Sequence, residues 1–326
     1  MHKRERLEKT IAGEVTDRVP VAVWRSFPGD DQRAADFANS VIGFQQRYDW
    51  DFVTLYPANH YAVVDYGLQD EWRGAASGER TALKLPIKRS LDWTELRPLD
   101  PVRGEYGKVL EAARLVLAAC QADQTPVIVA VYSPLAQASR LAGNSAFIQQ
   151  QRKHPDRVRT GLNTLTESTL RFLELLKPLG IAGVYYMIEH ADYEQFTESE
   201  YDAVGLPYDR RILDALPAEW WLNMVHLRGA APMLRFTSSY RAQALNCQDT
   251  SQPLPELRAQ FGGALCGGLD AEQHLHLGTP TVIRDAARHA MQQMNSRHLM
   301  LTGSGAAAVT TPLSHLRAAR STVEGV

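Results

Sequence analysis

The sequence predicts an α/β protein, a single (β/α)8 TIM barrel over residues 1–326, on three observations. Short apolar runs recur along the chain. Each is followed by a stretch with helix-start signals or the helical spacing of apolar residues. No linker rich in Pro, Gly or Ser divides the chain. Alternating apolar strands and helices build a parallel sheet covered by helices. Eight such runs point to a closed barrel rather than an open sheet, and barrels of this kind commonly exceed about 250 residues as one domain.

The elements follow in order. A charged amphipathic helix spans Arg4–Gly13, and Thr16-Asp17-Arg18-Val19-Pro20 leads into a first strand, Val19–Trp24, that stops on Arg25. A strand at Phe52–Tyr56 precedes Asp65–Pro101, whose turn residues and alternating run Thr81–Lys88 predict a small hairpin insertion after strand two, beside the barrel mouth. Further strands are expected at Val127–Val131, Ala182–Met187, Trp221–His226, Gln243–Cys247, Ala264–Gly267 and Leu299–Thr302. Pro155–Leu179 repeats apolar residues at Val158, Leu162, Leu165, Leu170 and Leu173, the spacing of a helix with one buried face. Thr197-Glu198-Ser199-Glu200 predicts a capping box, and Thr279-Pro280 and Thr311-Pro312 each place a capping hydroxyl before a first-turn proline.

Composition removes several function classes. With 44% hydrophobic and 22% charged residues and a formal net charge of -2, nothing suggests a surface for nucleic acid or another polyanion. No apolar run approaches the roughly 18 residues of a membrane span, and Met1-His2-Lys3-Arg4-Glu5 lacks the apolar core of a secretory signal, so a cytoplasmic protein without membrane contact is expected. Cys120, Cys247 and Cys266 show no CxxC spacing and cannot all pair, which fits a reducing compartment.

The helix at Arg4–Gly13, the Asp17-Arg18-Val19-Pro20 approach and the strand ending in Trp24-Arg25 together resemble the opening of the uroporphyrinogen decarboxylase superfamily. That superfamily includes tetrapyrrole decarboxylases and zinc methyltransferases that move methyl groups from corrinoid proteins to thiols. The resemblance implies a (β/α)8 barrel, a small carboxylated or tetrapyrrole ligand, a corrinoid protein as a partner in the methyltransferase branch, and a homodimer.

Active sites of such barrels lie at the C-terminal strand ends, which shortlists Arg25, Asn59, His60, Tyr132, Ser133, Glu189, His190, His226, Arg228, Asn246 to Asp249, Asp270 and Ser304. Arg25 falls where the resemblance places the first of two carboxylate-binding arginines; the second position is Gly29. The decarboxylase aspartate position is Ala58 or Asn59, its tyrosine is Ser139, and its Gly-His-Gly is Gly303-Ser304-Gly305. The methyltransferase zinc ligands would be His226 with two cysteines, but Arg228 and Ser304 stand at the thiolate positions. No metal and no cofactor are therefore expected.

His226 and Arg228, two residues apart on a strand, face one side. If that side is the lumen, Glu189 and His226 can exchange protons while Arg25, Asn59, His60, Tyr132, Arg228 and Ser304 bind substrate. An ion-pair network that only orders the barrel is the structural alternative, and for Arg25 the alternative is a barrel carboxylate. The favoured expectation is a metal-independent lyase of decarboxylase type. A corrinoid-dependent methyltransferase with a rebuilt zinc site comes next, then a catalytically silent barrel that binds a tetrapyrrole or a protein partner.

Overall fold

The computed structural model describes residues 1–324. Among the described residues, seven strands form one parallel sheet in the order β1 (Val53–Leu55), β4 (Val127–Tyr132), β5 (Gly183–Ile188), β6 (Met224–Leu227), β7 (Ala244–Cys247), β8 (Ala264–Leu269) and β9 (Leu299–Gly303). These strands are almost entirely buried, as their near-continuous apolar runs require of a sheet covered on its outer face by helices. The curled sheet and its helices form an α/β, TIM-barrel-like architecture. The expected hairpin region holds an antiparallel pair, β2 (Gln69–Glu71) and β3 (Thr81–Lys84).

The first expected strand needs correction. Residues 19–25 are not a regular strand; they lie along β9 and the segment that follows it through single bridges, Val21 to Leu301 and Arg25 to Ala307. Ala22 N donates to Leu301 O and Leu301 N to Pro20 O, while Ala307 N donates to Trp24 O. The other edge of the segment has been taken over by Asp51. Its carboxylate accepts from Val21 N at 2.7 Å, and its own N–H donates to Val21 O. A side chain therefore substitutes for a strand partner, and Pro20 has no N–H to contribute.

Asp51 also explains the N-terminal charge pattern. It is fully buried and accepts from Arg6 at 2.6 Å and from Arg18 at 2.6 and 3.0 Å, while Arg6 holds Asp17 through two further bonds. The helix Lys3–Ala12, ended by Gly13 at φ 75, is thereby tied to the residue that leads into β1.

Other start signals fare unevenly. Thr197 caps Glu198–Val204 with the reciprocal Glu200 bond, and Thr279 caps Pro280–Gln293. Thr311 does not cap: Leu313–Ser321 starts on Pro312, and the Thr311 hydroxyl is buried without a partner. The long helix runs Pro155–Leu176 and tightens into a 3-10 turn at Lys177–Leu179. No described helix is long and apolar enough to cross a membrane.

Candidate active site

Met187, His226, Asn246, Cys266 and Met300 are successive Cα partners across β5 to β9, so one level of the sheet places His226 beside Asn246. The Asn246 amide donates from Nδ2 to the carbonyls of Cys266 at 2.7 Å and Gly303 at 3.0 Å. Its oxygen therefore faces the other way, accepting from the Tyr185 hydroxyl at 3.0 Å and meeting His226 Nδ1 at 2.7 Å. An oxygen acceptor requires the proton on Nδ1, which leaves the lone pair of the neutral ring on Nε2. Burial pushes His226 down to about 4; Asn246 and Glu189 oppose the shift, and the Arg228 charge adds to it.

His226 is only 5% exposed, and its Nε2 has no partner among the described residues. It lines a mouth cavity of about 300 Å³ with Tyr56, Tyr185, Met187, Arg228, Asp270 and Ser304 among its walls. The Ser304 hydroxyl accepts from Ala271 N at 3.0 Å in the same wall. A neighbouring cleft of about 560 Å³ is lined by Asn59, His60, Arg140, Glu189 and His190. The two share Glu79, Glu189, Arg228 and Gln248, so the Arg228–Glu79 ion pair, 2.8 Å, stands between them.

Glu189 is not a free acid or base. Arg140 grips it bidentately at 2.6 and 2.7 Å, and Arg228 adds a bond at 3.1 Å. Burial opposes its ionisation, yet the charge and hydrogen bonds of Arg140, then the charge of Arg228, hold its carboxyl well below the usual range. It stays ionised near neutrality, which removes it from the proton exchange expected of it. Arg140 is braced by the Asn59 carbonyl and lies 4.0 Å over the ring of Tyr132, which is buried beneath it as a platform.

Arg25 requires the plainest correction. Trp24 packs on Tyr185 with ring centroids 5.0 Å apart, and Tyr185 lines the mouth. Arg25, the next residue, turns instead to the helix layer. Its guanidinium sits between Phe27 and Phe44, under helix Ala34–Tyr48, and donates to Val309 O at 2.9 Å. Its Nε is buried without a partner among the described residues, and among them it has no carboxylate within ion-pair distance. It neither lines the mouth nor takes the barrel carboxylate that the structural alternative offered.

Asn59 and His60 line the larger cleft, but their polar atoms hold the hairpin. Asn59 clasps both backbone groups of Arg80, and His60 pairs with Asp70 at 2.7 Å, which also pairs with Arg80. His190 donates from Nε2 to the Asn144 side-chain oxygen at 3.0 Å, and burial pushes its pKa down to about 4.

A zinc–thiolate centre does not fit these residues. All three cysteines are buried; burial pushes the Cys120 thiol up to about 11 and the Cys247 thiol to about 12, and raises Cys266 further. Among the described residues, no three His, Cys, Asp or Glu side chains converge as a metal site.

Sequence reasoning missed Arg140 and Glu79. Arg140 belongs to the helix Pro134–Ala142, which Ser133 caps ahead of a first-turn proline, a start signal the sequence reading did not use; Arg140 bonds the Ala136 carbonyl one turn back. Glu79 comes from the hairpin loop, for which sequence carries no signal of direction.

A curled parallel sheet with helices outside and a buried histidine at the C-terminal strand ends defines a barrel-type α/β scaffold. The sequence matches the family described as Uroporphyrinogen decarboxylase (URO-D) over residues 2–326. The chain belongs to that family, as a divergent member of its superfamily. Among solved structures it is similar to a methyltransferase from Methanosarcina mazei, with a TM-score of 0.87 and 17% identity over 99% of this chain and 98% of that one. A second, the CcCel6A catalytic domain complexed with p-nitrophenyl beta-D-cellotrioside, aligns at a TM-score of 0.34 and 11% identity over 80% and 65% of the two chains, too far to bear on the fold. No curated protein matches the sequence.

Proposed function

We propose that this chain is an enzyme in which Nε2 of His226 takes a proton from a small substrate held in the barrel mouth, and that the atom so deprotonated accepts a methyl group. The observation that carries this is the locked Nδ1–H tautomer, which presents an unprotonated Nε2 to a cavity of about 300 Å³, the lower end of small-molecule sites. A neutral imidazole nitrogen facing the cavity is free to accept the proton of an acceptor X–H.

Decarboxylation would instead need a cation for the departing carboxylate and an acid to quench the carbanion. The guanidiniums of the two cavities, Arg228 in the mouth and Arg140 in the neighbouring cleft, are engaged by Glu189 and Glu79, and His226 is unprotonated at neutral pH. Methyl transfer is also the activity named for the fold neighbour from Methanosarcina mazei. In this proposal the methyl donor is a corrinoid carried by a partner protein. The chain's own part is to bind the acceptor, remove its proton through His226 and close the cavity with the Arg228–Glu79 pair.

Free methylcobalamin serves as the donor in the test, with a panel of small thiols, amines and alcohols, followed by loss of the methyl–cobalt absorbance. Wild type should turn over at least one acceptor, and His226→Ala should lose about a hundredfold or more. Carbon dioxide release from a carboxylated substrate, or efficient conversion of uroporphyrinogen, without any methyl transfer would overturn the proposal.

A further inference from the structure

We infer that the acceptor is a small molecule with a cationic head, an ammonium or alkylated ammonium, and not a carboxylate. This rests on the placement of proton removal at His226.

The charge ledger of the two cavities carries it. Their two guanidiniums are answered in place by Glu189 and Glu79. Four further carboxylates line the same space: Asp192 and Glu194 in the larger cleft, Asp270 and Glu272 in the mouth. Among the described residues, none of the four has an arginine or lysine within ion-pair distance; Glu272 meets only His276, at 3.2 Å.

Asp270 is ordered by the N–H groups of Glu272 and Gln273 and by the Thr250 hydroxyl, bonds that fix a carboxylate without cancelling its charge. His226 and His190, both pushed down to about 4, add no positive charge near neutrality.

An acidic wall alone would specify nothing. The second observation is His226 itself, nine-tenths buried, with Nε2 unpartnered among the described residues in the cavity that Asp270 and Glu272 line. A ligand there meets a proton acceptor and uncompensated carboxylates in one cavity, whose walls also carry the rings of Tyr56 and Tyr185. Such rings favour cations over anions. An acceptor with an X–H group at one end and an ammonium at the other satisfies both at once, whereas a carboxylate would meet like charge.

Two thiols of nearly equal size distinguish the cases: 2-aminoethanethiol and 3-mercaptopropionate. Binding to the whole protein is read by calorimetry and by the imidazole nitrogen resonances of His226, so no turnover is needed. At low ionic strength the ammonium probe should bind about tenfold or more tighter than the carboxylate probe and shift the His226 signals. Glu272→Gln, on the exposed rim, should narrow that gap, and Asp270→Asn should narrow it further if the variant retains its fold by circular dichroism. Equal or tighter binding of the carboxylate, or binding of neither at millimolar concentration, overturns the inference. Selective ammonium binding without methyl transfer would leave the inference standing and remove the proposed reaction; methylation of the carboxylate probe would do the reverse.

Discussion

Asn246 Oδ1 lies 2.7 Å from His226 Nδ1, and the Asn246 amide cannot turn round, because its nitrogen is already committed to the carbonyls of Cys266 and Gly303. The protonation site of the ring is thus set by backbone carbonyls on two other strands.

The tautomer is directly measurable. In protein labelled with nitrogen-15 at histidine, His226 should show Nδ1–H and a bare Nε2 at neutral pH, and should begin to protonate only near the value of about 4 to which burial pushes it. Asn246→Leu removes the acceptor and should yield a mixture of tautomers. A wild-type ring bearing its proton on Nε2 would sink both the lock and the proposed base.

A second consequence concerns the Arg140–Glu189 clamp. Arg140→Met would leave a buried carboxylate with only the 3.1 Å contact from Arg228, and breaking a buried pair on one side costs roughly 3 to 5 kcal/mol. Replacing both residues by Met should cost much less than the sum of the two single changes. Urea unfolding of the four proteins in the cycle measures the coupling, and strict additivity would show that the clamp carries no stability.

The strands were legible because buried parallel strands must be apolar throughout, and β4, β5 and β9 fall within one residue of their expected bounds at each end. The segment 19–25 was not, because an apolar run does not reveal that a side chain, Asp51, has replaced one of its neighbours. Arg25 was misplaced by parity. A single-residue difference in which face is counted as the lumen moves a side chain from the mouth to the helix layer, and Trp24 holds the inward position. His226 and Arg228 share a face by the same alternation, and both line the mouth cavity. Neither Arg140 nor Glu79 could be found this way, since one depends on the axis of a helix and the other on how a hairpin folds over the mouth.

Asp51 gathers Arg6, Arg18 and the Val21 N–H in a site with no exposure. Asp51→Ala should leave two guanidiniums short of their partner and cost about 3 to 5 kcal/mol. Because those bonds tie the helix Lys3–Ala12 to the sheet, limited proteolysis should cut the variant near residues 13–18 before the rest of the chain. Unchanged stability and an uncut N-terminus would show that the helix is held by its apolar face alone.

On the outer side of β5 the Asp209 carboxylate is buried and accepts from the hydroxyls of Tyr186, at 2.7 Å, and Tyr201, which itself meets Tyr240 at 2.9 Å. No cation answers it among the described residues, and burial raises it from an ordinary 3.8 to about 7, the two tyrosine bonds opposing. The folded protein therefore holds a proton on Asp209, between those two values, that the unfolded chain has released. Stability must fall as pH rises through that window, by up to about 1.4 kcal/mol per pH unit. His190 and His226, pushed down to about 4, act in the opposite sense over part of the same range, so the comparison has to be between wild type and variant at each pH. Asp209→Asn keeps the shape and removes the ionisation. Relative to wild type it should gain stability steadily from about pH 4 to pH 7 and then hold level. A difference that does not change with pH would show that this carboxyl keeps an ordinary affinity for its proton in the folded state.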